Sequence, residues 1–84
     1  MRLRVESVVA ARGLVFARPI EPGTMLATPR ATLGGRRVKY FDLPRKLMQD
    51  GSLDLQLIGF YLEDPADAAH FPLGALVEYL DDER

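Results

Sequence analysis

His70 is the only histidine of the chain, Ser7 and Ser52 are its only serines, and there is no cysteine. Nucleophilic catalysis therefore has few places to start. A serine nucleophile needs a base within hydrogen-bond reach and a backbone turn that presents its hydroxyl. Ser7 stands in V-E-S-V-V and Ser52 in D-G-S-L-D, neither of which has the glycine framing of a nucleophile elbow. His70, beside Phe71 and Pro72, reads as a loop residue. Glu63, Asp64 and Asp67 put three carboxylates close together, but Pro65 interrupts them and no D-x-[DN]-x-[DN]-G pattern is present, so they read as a solvated acidic loop rather than a calcium site. No G-x-x-x-x-G-K-[ST] loop occurs, which excludes the usual phosphate cradle for a nucleoside triphosphate. The expectation is a protein that is not an enzyme, with no catalytic residue, metal or cofactor assigned.

Binding chemistry has more to work with. Arg36, Arg37 and Lys39 lead into Tyr40 and Phe41, and Arg45 and Lys46 follow. Cations beside aromatic rings are what single-stranded nucleic acid needs, since the rings stack on bases and the cations meet phosphates. The same residues also suit an ordinary charged strand whose Lys and Arg block edge pairing, and both readings stay open here. Regular alternation puts Arg36 and Arg37 on opposite faces, so only one of them joins Tyr40, while Lys39 lies with Arg37 and Phe41. Arg36, Arg37, Lys39, Tyr40, Arg45 and Lys46 are the candidate nucleic-acid residues, with RNA or a ribonucleoprotein as partner. A second candidate surface is the aromatic set Phe60, Tyr61, Phe71 and Tyr79, which fits a protein partner or self-association. Charge bears on both. Residues 1 to 46 carry +7 and residues 47 to 84 carry −8, for a net charge of −1. Either the halves interleave and neutralise one another across neighbouring strands, or the first half offers a basic face to an anionic partner. Opposite halves could also pair head to tail between copies.

The elements that must position these residues are strands. Leu3 and Val5 alternate with Arg2, Arg4 and Glu6, and Val8-Val9 breaks the phase as a bulge does. Leu14, Phe16 and Arg18 then alternate with Val15 and Ala17, up to Pro19, which marks a strand end. Glu21-Pro22-Gly23 is a turn, and a third strand is expected over about 25 to 33. Gly34-Gly35 joins that strand to Arg36–Phe41 as a two-residue hairpin. The spacing predicts a helical turn over 44 to 49, opened by Pro44, and then a central strand over 53 to 62 whose Leu53, Leu55 and Leu57 face the core. A further helical turn capped by Asp64 covers 65 to 71, a last strand covers 73 to 80, and 81 to 84 form a solvated acidic tail. Six short strands with turn chemistry between them predict an all-β fold: a small six-stranded antiparallel, Greek-key-like β-barrel with one or two short helical turns. Residues 1 to 84 are expected to form one domain.

The order of these features resembles the second, β-barrel domain of translational GTPases of the elongation factor Tu type. VESVVAARGLVFARPIEPG at 5 to 23 is similar to the family's opening strand of V-E-x-V-F type, which leads through R-G to a strand ending in I-E-x-G. LPRKLMQDG at 43 to 51 is similar to its F-R-K-L-x-D-x-G segment, and LIGFYLEDPADAAHFPLGALVEY at 57 to 79 follows its strand, acidic loop and terminal G-x-L-V. The resemblance implies a stand-alone translation-factor barrel that binds without catalysing. After Gly23 the family has G-D-x-V where this chain has TMLATPRATLGGRR, so that strand is expected to be shaped differently. The family's pocket for the aminoacylated end of tRNA is not carried over to any residue here. No stretch reaches the roughly 20 apolar residues of a membrane span, and Glu6, Ser7 and Arg12 interrupt the N-terminal apolar segment, so a cytoplasmic protein is expected. The chain has no asparagine and only two glutamines, a composition that points weakly to a thermophile.

Overall fold

In the computed structural model of the chain, the described residues are 1–21, 30–42, 46–47, 53–54 and 57–81, with 46–47 and 53–54 described as backbone only. Among the described residues eight strands run in chain order: β1 Arg2–Val9, β2 Leu14–Pro19, β3 Thr32–Leu33, β4 Arg36–Asp42, β5 Lys46–Leu47, β6 Leu53–Asp54, β7 Ile58–Leu62 and β8 Leu76–Leu80. Six of them close into a barrel in the order β1-β2-β7-β4-β3-β8, every pair antiparallel. The β3–β4 hairpin sits between β7 and β8, giving the Greek-key-like path expected from the turn spacing. β5 and β6 pair with each other in a separate two-stranded sheet.

The inward side of each strand follows from where its apolar residues fall. Leu3, Val5, Val15, Ala17, Leu33, Val38, Phe60, Leu62 and Tyr79 are buried in one core cluster. The faces predicted for β2 hold: Val15 and Ala17 point inward, opposite to Leu14, Phe16 and Arg18. Phe60, Tyr79 and Phe41 form an aromatic centre with ring centroids 5.7 to 6.1 Å apart, separations at which aromatic pairs attract beyond their burial. Phe60, Phe71 and Tyr79 are therefore core residues rather than a partner surface, which removes three of the four aromatics proposed for one.

Two bulges keep the inward faces in phase. In β1 the register moves from Val5↔Ala17 to Ser7↔Phe16, so Glu6 is the extra residue and both Val5 and Val8 turn inward. The bulge lies before the Val8-Val9 pair where the sequence placed it. In β4 the register moves from Val38↔Leu62 to Tyr40↔Tyr61, so Lys39 is extra and Val38 and Phe41 share the inner side.

The turns also follow their chemistry. Gly34 and Gly35 both have positive φ, 57° and 82°, as a tight two-residue hairpin requires. A 3-10 turn at Ala10–Arg12 ends on Gly13 at φ 62°, where a Cβ would lie 2.6 Å from Pro65 Cα. Pro65 opens a second 3-10 turn, Pro65–His70, whose N-cap Asp64 accepts a hydrogen bond from the Ala66 N–H at 3.1 Å. That cap and turn match the sequence expectation. Ala68 and Phe71 join the core cluster, so the second turn closes one end of the barrel.

Three expectations need correction. The central strand is not continuous from Leu53 to Leu62: Leu53–Asp54 pairs with Lys46–Leu47 outside the barrel, and the barrel strand begins at Ile58. Leu57 is buried as expected, while Leu55 lies outside the described residues. The helical turn over 44 to 49 is extended where it is described, at Lys46–Leu47. The last strand begins at Leu76, after a Leu73-Gly74 turn. The strand expected over 25 to 33 is described only at Thr32–Leu33, and residues 82 to 84 of the acidic tail lie outside the described residues.

Candidate nucleic-acid interface

Residues that do not point into the barrel make its outer wall, and on β2, β7 and β4 that wall is aromatic. Register sets the layout. Leu14, Tyr61 and Tyr40 stand side by side across the three strands, and Phe16, Gly59 and Asp42 form the next row. Tyr40 and Tyr61 stack, with ring centroids 4.5 Å apart and planes 21° from parallel. Tyr61 is half-buried, whereas Tyr40 is 48% exposed, so the pair presents a ring to solvent over a fixed base. In the adjoining row Phe16 lies across Gly59: a Cβ there would come 3.2 Å from Phe16 Cε1 and 3.4 Å from Leu14 Cδ1. Glycine at this position lets the ring settle onto the strand and cover Leu14, which is 4% exposed although it faces outward.

The bulge at Lys39 decides which cations accompany Tyr40. Arg36 stands opposite the buried Leu33, on the inner side at the barrel rim, where its guanidinium reaches the Asp67 carboxylate at 3.2 Å. It is thereby committed to the second 3-10 turn. Arg37 lies on the outer side, opposite to Val38. Lys39, the extra residue, is exposed next to Tyr40. Neither Arg37 nor Lys39 has an ion-pair partner among the described residues. The face expectation is therefore revised: Phe41 goes inward with Val38, and Tyr40 is accompanied by Arg37 and Lys39 rather than by Arg36. Arg45 lies outside the described residues, and Lys46 is placed only as backbone of β5 opposite Asp54.

Along the margin of this wall, Arg18 on β2 pairs with Glu6, the bulged residue of β1. At the other end of β1, both the backbone N–H and the guanidinium of Arg2 donate to Glu21. The backbone bond first, and the guanidinium bond second, hold the Glu21 carboxyl below its ordinary range. These pairs fix cations in place and, among the described residues, leave Arg37 and Lys39 as the accessible positive charge on the strand that carries Tyr40.

Reading by sequence reached Tyr40, Arg37 and Lys39 and missed Phe16, Gly59 and Tyr61 as parts of the same wall. Nothing local connects them, since β2, β7 and β4 are far apart in the chain. The available signal was the alternation of β2, which already put Phe16 on the side away from Val15 and Ala17. His70 is exposed on the second 3-10 turn. Among the described residues no group of three or more His, Cys, Asp or Glu is arranged to hold a metal ion. Among the described residues no helix is long and apolar enough to cross a membrane. Comparison of the chain with protein-family models, with curated proteins and with solved structures gives no significant match.

Proposed function

We propose that the chain is a non-catalytic binding module, built on a barrel of the translation-factor type, that takes single-stranded RNA, free or within a ribonucleoprotein, on the outer wall of β2, β7 and β4. The observation that carries this reading is the exposed ring of Tyr40, backed by Tyr61 at 4.5 Å and flanked by Arg37 and Lys39. A base stacking on Tyr40 meets a ring already held parallel to a second ring, so little side-chain entropy is lost on binding. Arg37 and Lys39, exposed on the same strand, would supply the positive charge that the phosphates flanking that base need. Recognition of this kind is tolerant of sequence, because every base has a stacking face.

Salt provides the test. Each phosphate neutralised on a single strand contributes a slope of about −0.7 to log K against log salt, so Arg37 and Lys39 together predict a slope of about −1.4 or steeper. Anisotropy of a labelled single-stranded RNA of about ten nucleotides, a length within the usual site sizes, would read it. Arg37→Ala and Lys39→Ala should each flatten the slope by about 0.7. Absence of RNA binding at low ionic strength, where phosphate contacts are strongest, would end this reading.

A further inference from the structure

The outer side of β8 carries two exposed leucines, one on either side of Glu78. Leu76 and Leu80 are 52% and 54% exposed, and Leu73 in the preceding turn is 69% exposed. The same strand buries Tyr79 and half-buries Val77, so its leucines are displayed on the face opposite to its core residues. An exposed leucine alone means little; three on one strand and its turn make a patch. Charge surrounds it in an ordered way. Arg4 lies across from Leu76 and Arg2 across from Glu78. Arg2 is tied to Glu21, but Arg4 and Glu78 have no ion-pair or side-chain hydrogen-bond partner among the described residues. The patch thus has an uncommitted cation on its β1 side and an uncommitted anion on β8, with leucines on either side of the anion.

We propose that this face binds a second copy of the same chain. A two-fold axis running along the seam between β1 and β8 lays β8 of each copy over β1 of the other. Glu78 of one copy then meets the Arg2–Arg4 edge of the other, and symmetry makes that contact twice. Leu76 lies against the aliphatic stem of Arg4, a covering that long cationic side chains provide well. A uniformly acidic or uniformly basic partner would satisfy one half of the patch and oppose the other, whereas a second copy satisfies both. β8 is three places from β7 in a ring of six strands, so this surface is on the far side of the barrel from Tyr40 and Tyr61. The inference does not depend on the RNA reading.

Sedimentation velocity across a concentration series at low salt measures it directly. The expected result is a reversible dimer that Glu78→Arg and Arg4→Glu each weaken by about tenfold or more, equivalent to about 1.4 kcal/mol. Mixing those two variants should restore it, because one contact then joins the two introduced charges and the other joins the two native ones. Leu80→Ser, which changes no charge, should weaken it too, and Tyr40→Ala should leave it intact. Unchanged circular dichroism of the variants separates loss of pairing from loss of folding. A wild-type chain that stays monomeric at millimolar concentration overturns the proposal. So does a dimer that survives both charge reversals, a mixture that does not recover, or a dimer abolished by Tyr40→Ala.

Discussion

Tyr40 and Tyr79 show how one residue type is put to opposite uses by the strand it occupies. Tyr40 is turned outward and stacked on Tyr61, so its value is in what can settle on its free face. Tyr40→Ala should weaken RNA binding by about 5- to 150-fold, the range expected for loss of one stacked base, with little change in the salt slope, since no cation is removed. A variant that binds as well as wild type would show that the stack is structural only. Tyr79 is turned inward, and burial, helped by the nearby Asp81 charge, raises its phenol above its ordinary value. The sign of the consequence follows from proton counting. Above about pH 10, the ordinary tyrosine range, the unfolded chain ionises while the folded chain keeps its proton, so the folded state binds more protons and loses stability as pH rises. The contribution is complete below that pH and disappears as pH climbs through the raised folded value. Urea midpoints between about pH 8 and 11 should fall for the wild-type chain and fall less for Tyr79→Phe; equal slopes would mean that Tyr79 is not the group responsible.

Single-residue insertions within strands govern what each element presents. A strand has a side-chain period of two, so one added residue exchanges its faces. Glu6 does this in β1 and Lys39 in β4. Without the latter, Phe41 would leave the aromatic centre that it shares with Phe60 and Tyr79, or Val38 would leave the core. Deleting Lys39 should therefore lower the urea midpoint far more than Lys39→Ala, which keeps the residue count; a deletion variant that melts like wild type would mean that β4 sets its phase in another way. The bulges also mark how far these elements could be read from the sequence. In β2, with no bulge between Leu14 and Pro19, both faces were legible. In β4 the strand was legible but its partition of Arg36, Arg37 and Tyr40 was not, because a bulge is decided by the partner strand's register. The run from Leu53 to Leu62 misled for a related reason. Its alternation is compatible with one long strand, and only pairing with β5 shows that Leu53–Asp54 belongs to a separate sheet. Pro44, at a position suited to a helix start, was a local preference, and at Lys46–Leu47 pairing with β6 prevailed over it.

At the scale of the whole barrel, the contrast between a basic first half and an acidic second half is resolved by topology. β7 and β8, the barrel strands of the acidic half, each lie between two strands of the basic half. β7 itself carries no charge, and the acids of that half reach the basic strands from the following loop, as Asp67 does toward Arg36. The interleaving expected from the sequence is thus present, but its neutralisation is incomplete, and the cations it leaves beside Tyr40 are the ones the binding proposal uses. The closed antiparallel ring was legible from turn spacing. Which strand neighbours which was not, because insertion of the β3–β4 hairpin between β7 and β8 depends on long-range packing.

The brevity of β3 has a kinetic consequence. Two residues, Thr32 and Leu33, are all that β3 supplies as the link between β4 and β8, and a ring parts most readily where the fewest bonds must break together. The barrel should therefore breathe by unzipping at this link, transiently becoming an open sheet with two bare edges, well before it unfolds as a whole. Hydrogen exchange would register such openings as faster amide turnover at Gly34, which donates to Glu78, and at Val38, which donates to Ala31, than at Val15 and Phe60 on the β2–β7 side. Uniform protection around the ring would show instead that it opens only in global unfolding. If the link does part first, the exposed edges of β4 and β8 are the places where one molecule could exchange strands with another, and substitutions that stiffen the Gly34-Gly35 turn without altering its φ angles would slow that exchange.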